Sequence, residues 1–147
     1  MFRISARLDD FGDVEALLGA CGFERYGPVQ REIDTAVLDF CEEGRYIPAS
    51  PNRTLEFSGR LCTEIGSGLV IWGTPYAQYQ NGGFVMTDDL GRTWVGAGEQ
   101  KPIVHYDRPL DYDTDRNPNA GPHWFERMKA DRLQDILDRA RAARKKG

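Results

Sequence analysis

The chain has 147 residues and a mass of 16.6 kDa, with 40% hydrophobic and 29% charged residues and a formal net charge of −4. That is ordinary for a soluble domain long enough to bury a core, and the negative balance excludes a chain built throughout for nucleic acid. No apolar run approaches the roughly 20 residues of a membrane span, and residues 1–20 carry acids where a signal peptide needs a basic, then apolar, stretch. The expectation is therefore one soluble domain over 1–147, made in the cytoplasm, with no membrane partner.

Phe2, Ile4, Ala6 and Leu8 alternate with polar residues, the period of a half-buried strand. Asp9 or Asp10 can cap a short helix carrying Val14, Leu17, Leu18 and Cys21, closed by Gly22, so that residues 1–25 form a strand and a helix. A second helix is predicted over 28–42, with Val29, Ile33, Ala36, Val37 and Phe40 as its apolar stripe and Gly44 as its end. Pro48 and Pro51 bar regular structure until Thr54, where one helical turn can start and stop at Gly59. From Leu61 the pattern reads as strand, Gly66-Ser67-Gly68, strand: a hairpin whose second arm, Leu69 to Trp72, is apolar enough to be covered on both faces.

Gly73-Thr74-Pro75 breaks that strand before Tyr76 and Tyr79, which with Trp72 form an aromatic group suited to packing or to a subunit contact. Phe84 to Thr87 and Thr93 to Val95 flank Asp88 to Arg92 as a second hairpin. Gly96 to Pro102 reads as a mobile loop, and Ile103 to Tyr106 as one more strand. After the acidic run ending at Arg116, Pro118 and Pro122 force a turn, and Pro122 suits the first position of a last helix over 122–144. Trp124 and Phe125 would anchor its first turn; Met128, Leu133, Ile136, Leu137 and Ala140 continue that face. The predicted class is α+β: an antiparallel sheet of hairpins over 61–115, which the N-terminal strand can join, two amphipathic helices packed on it, and a long glycine-rich loop.

Few residues here suggest chemistry. Asp111, Asp113 and Asp115 copy the start of a calcium loop, but Arg116 replaces its turn glycine and Pro122 its bidentate glutamate. On a strand these acids would share one face, as an acidic contact strip or a solvated edge. Cys21, Cys41 and Cys62 have no C-x-x-C and no neighbouring His, and read as small buried hydrophobes. His123 could act as an acid or base, yet no Ser, Cys or carboxylate stands at a readable spacing from it, and no nucleotide-binding, metalloprotease or nucleophile-elbow motif occurs. No catalytic residue, cofactor or metal is expected. From Glu126 to Gly147 eight Lys and Arg face four Asp and Glu, making this segment +4 and residues 1–125 −8. Arg139, Arg141, Arg144, Lys145 and Lys146 could thus contact acidic surfaces or make a passing contact with DNA. A small nucleic-acid module using this tail, or a small hydrolase using His123, are the rival readings.

Four segments in order, Tyr46-Ile47-Pro48, Ser58-Gly59-Arg60-Leu61, Gly73-Thr74-Pro75-Tyr76-Ala77-Gln78-Tyr79 and Asn117-Pro118-Asn119-Ala120-Gly121-Pro122-His123-Trp124-Phe125-Glu126-Arg127-Met128-Lys129, resemble the minor capsid protein family of tailed bacteriophages. The resemblance covers about residues 28–140. It implies a virion structural protein of the head-to-tail connector, of neck or tail-completion type. Such a protein would act as several copies in a ring against neighbouring connector and tail proteins, without a catalytic residue. The expected ring contacts are the loop 80–102 and the basic tail, meeting the acidic body of the next copy head to tail.

Overall fold

Pro28 has no N–H to leave unpaired, and it opens helix α1, Pro28–Glu43, as the sequence predicts. The computed structural model describes residues 2–5, 19, 23–87, 91–92 and 105–146. The helix expected between Asp9 and Gly22 falls outside them except for Gly19, which is helical. α1 buries the expected Val29, Ala36, Val37 and Phe40, and also Leu38, Cys41 and Asp34. It ends where Gly44 donates its N–H to Phe40 O, after which Arg45, at φ 54°, turns the chain. Gly44 itself has φ −72°. It is glycine for want of room, since a Cβ there would lie 2.3 Å from the Tyr46 ring.

Helix α2, Thr54–Cys62, overturns the predicted single turn and the strand from Leu61. Ser50 Oγ accepts the Leu55 N–H at 3.0 Å and so serves one of the orphan donors of the helix start. Gly59 does not stop the helix. A Cβ there would come within 2.8 Å of Trp72 Nε1 and 2.9 Å of Leu38 Cδ2, so the glycine lets α2 approach the core closely. With 61–62 helical, the hairpin predicted over 61–72 does not form. Strand β2, Leu69–Trp72, pairs instead with β1, Phe2–Ser5, antiparallel from Phe2↔Trp72 to Ser5↔Leu69. Val70 and Trp72 are buried and Leu69 and Ile71 half-buried, so β2 is fully covered on one face only.

The aromatic stretch after Pro75 forms a short helix, α3, Ala77–Gly82, capped by Gly83 in the left-handed region at φ 85°. Strand β3, Phe84–Thr87, follows at once and pairs antiparallel with β4, His105–Pro109. The partner strand predicted at Thr93 to Val95, the Gly96 to Pro102 loop and Ile103 lie outside the described residues. Among the described residues, the 61–115 region contributes strands to two two-stranded antiparallel sheets, β1–β2 and β3–β4. Helix α4, Trp124–Lys146, is kinked at Arg132 (φ −123°, ψ 15°) and lies along α1. Between the helices, α2 and β2 sits one core, which includes Phe40, Cys41, Ile47, Leu55, Trp72, Trp124 and Met128. The class is mixed α+β with antiparallel pairing, and no described helix is long and apolar enough to cross a membrane.

Candidate functional site

The Asn117 to Lys129 segment folds as a turn seated on three distant parts of the chain. Asn117 is buried and donates from Nδ2 to Ile47 O at 2.7 Å and to Glu56 Oε1 at 3.0 Å. Asn119 Nδ2 donates to Gly44 O at 2.7 Å. Arg127, one turn into α4, reaches back with its guanidinium to Pro122 O, Asn119 O and Tyr46 O and lies over the Tyr46 ring. Gly121 makes room for it, since a Cβ there would be 3.1 Å from Arg127 Nη2.

Pro122 is not the first helical residue. His123, at φ 52°, accepts the Arg127 N–H on its carbonyl and so stands at the cap, with Trp124 first in the helix. Asn81 of α3 holds this start by accepting His123 N–H on its carbonyl at 3.0 Å and Trp124 N–H on Oδ1 at 3.3 Å. Pro122 packs over Gly83, where a Cβ would lie 2.9 Å from it. The fixed φ of proline, the left-handed glycine and the asparagine cap thus define one junction.

The predicted aromatic cluster is divided by this arrangement. Trp72 and Trp124 are fully buried and meet edge to face at 5.6 Å between ring centroids. They belong to the core and are closed to a partner. Tyr79 is buried on α3, Phe125 is half-buried against the core, and Tyr76 is exposed. Pro118 is exposed at the corner of the turn.

Asp111, Asp113 and Asp115 are exposed, but β4 ends at Pro109 and they do not line one strand face. Asp113 Oδ1 instead accepts the Asp115 N–H within a local turn. Among the described residues no group of three or more His, Cys, Asp or Glu is placed to hold a metal ion. His123 is exposed and its backbone serves the helix start. Cys41 is buried, and burial pushes its thiol up. Cys62 is exposed, against the sequence expectation, and Cys21 lies outside the described residues.

The basic tail is not uniformly available. Arg139 is bonded to Glu32 and Asp39 of α1 and lies over the Phe40 ring, so it holds the helix pair together. Asp39 also receives Arg60, Arg60 reaches Glu42, Glu42 meets Arg53, and Arg53 meets Glu56, the acceptor of Asn117. A line of alternating charge therefore runs from α4 across α1 and α2 to the turn. Burial acts to raise the Asp39 carboxyl, but hydrogen bonds from Arg60 and Arg139 outweigh it and hold it below its usual value. Arg141 pairs with Asp138 within α4, and Arg144 lies over the Phe23 ring. Lys145 and Lys146 are exposed, with no ion pair among the described residues.

Two features escaped sequence reasoning. Asp34 is 1% exposed, and its Oδ2 accepts the N–H groups of Gly66 and Gly68 at 2.7 and 3.1 Å while Oδ1 accepts Gln30 Nε2. Its one sequence signal is an acid beside the apolar stripe. The second is exposed apolar surface on α2, where Leu61 is 84% and Phe57 41% exposed. No protein-family model, curated protein or solved structure matches this chain.

Proposed function

We propose that the protein is a virion structural component of a phage head-to-tail connector, in a neck or tail-completion ring, working through contacts with copies of itself and with neighbouring connector and tail proteins. The observation that carries the reading is the meeting in one place of the segments on which the minor capsid resemblance rests. Tyr46 and Ile47 of the first segment accept from Arg127 and Asn117 of the last, Gly59 of the second abuts Trp72, and Ala77 of the third lies in the same core as Trp72 and Trp124. A motif spread over 46–129 that is spent on internal bonds builds a scaffold, and a scaffold with exposed apolar and charged edges suits assembly.

The basic tail offers DNA little, because Arg139 is engaged with α1 and Arg141 with Asp138; a passing contact with the genome in the connector would rest mainly on Lys145 and Lys146. Mass spectrometry of purified particles, with imaging of the neck, tests the proposal. The protein should be present at a few copies per particle and its density should lie at the head-to-tail junction. Particles of full infectivity that lack it would overturn the proposal.

A further inference from the structure

Beside α4 the surface opens into a mainly apolar groove of about 190 Å³ lined by Ile33, Val37, Val70, Phe125, Leu133 and Ile136, with the hydrogen-bonded Asp34 in its wall and Lys129 at its rim. An apolar cavity of about 150 Å³ takes a benzene ring, so this groove has room for one large aliphatic or aromatic side chain. Leu133 is 44% exposed along it. The complementary shape is on α2, where Leu61 projects with 84% of its surface in solvent and Phe57, one turn earlier, is 41% exposed beneath the Arg53 guanidinium. A leucine so placed on a short helix gains nothing for the fold of its own chain.

We infer that the groove receives Leu61 of a second copy, in a head-to-tail contact. Knob and groove cannot meet within one chain. α1 gives its Ile33 and Val37 side to the groove, whereas Leu38 and Glu42, five residues further on in each case, face α2; residues five apart lie about 140° round a helix. Two different surfaces on well-separated faces make a heterologous contact, which propagates until it closes. The charges agree. Glu64, just past the end of α2, and Lys129, at the rim of the groove, are both exposed, and neither has an ion pair among the described residues. Docking of Leu61 brings the opposite charges together at the edge of the contact, where a salt bridge fixes orientation. Burying the exposed face of Leu61 then provides the apolar centre.

This deepens the assembly reading and rests on it for the expectation of more than one copy. The test uses purified protein, so its failure leaves the particle experiment to decide the virion assignment. Sedimentation velocity should give oligomers for the wild type. Leu61→Asp should give monomers with an unchanged melting temperature, because that side chain is 84% in solvent, and Leu133→Asp should give folded monomers with a slightly lowered melting temperature, because more than half of that side chain is covered. Mixed together, the two variants should form a one-to-one dimer, since the first keeps its groove and the second its knob. Glu64→Lys and Lys129→Glu should each weaken association about fivefold, and the double variant should recover it. A monomeric wild type, a Leu61→Asp protein that associates like the wild type, or a mixture that stays monomeric would each overturn the inference.

Discussion

Asp34 is the only charged residue among those α1 buries, and its oxygens accept three hydrogen bonds that fix the 64–68 turn against the helix. Gly66 is held there at φ 100°, with no room for a Cβ beside Tyr26. Asp34→Ala removes the acceptor and leaves two backbone N–H groups in a dry turn, a loss of about 2–4 kcal/mol; chemical denaturation reads it, and Asp34→Asn should lose less. Tyr46 gives a second prediction. Burial, and then the hydrogen bond its hydroxyl donates to Asp131, push its phenol up to about 12 from 10.0. A phenol raised on folding contributes its stability in full below the unfolded value and loses it as the pH climbs through the folded one. Stability should therefore fall between pH 10 and about 12, and Tyr46→Phe should flatten that fall in a series of melts while costing about 1 kcal/mol at neutral pH. The sequence marks Tyr46 only as part of a motif; its partner is 85 positions away, beyond any periodicity.

At the scale of elements, what could be read from the chain depended on whether the signal was local. α1 was legible because its apolar stripe and proline-marked start are written within the segment; α4 was legible as a helix, but it starts at Trp124, two residues past Pro122, and leaves Leu133 and Leu137 of the expected stripe partly exposed. α2 was misread at Gly59, where a glycine that makes room for Trp72 looks the same in sequence as one that breaks a helix. The 61–72 hairpin failed for the same kind of reason: β2 found its partner at the N-terminus, and a pairing over that separation leaves no turn signal. The tail is a further correction. Cutting at Arg139 looks harmless when only the apolar face is counted, which is nearly complete by Leu137. Arg139, however, bonds Glu32 and Asp39, and both it and Arg132 lie over Phe40. Removing residues 139–147 should cost about 1–2 kcal/mol, whereas removing 145–147 should cost almost nothing; thermal melts compare the two. The network also has a pH sign. Because the Asp39 carboxyl is held below 3.8, its contribution is present above that value and fades as the pH falls through the lower folded one.

Over the whole molecule, the bonds that close the core span long stretches of chain. Asn117 to Ile47 covers 70 positions, Asn119 to Gly44 covers 75, Tyr46 to Asp131 covers 85, and Arg139 to Glu32 covers 107. A chain with this much helix would be expected to fold fast if its contacts were local, but loops of this length must close before those contacts form. Stopped-flow refolding should accordingly give a rate nearer those of β-rich domains than those of helical bundles. Synthesis adds a second delay. At about 5–20 residues per second, α1 leaves the ribosome several seconds before α4 exists to cover Val37 and Cys41. During that interval the apolar face of α1 has no cover from α4, and a ribosome stalled anywhere before Trp124 would present that face to whatever apolar surface it met first.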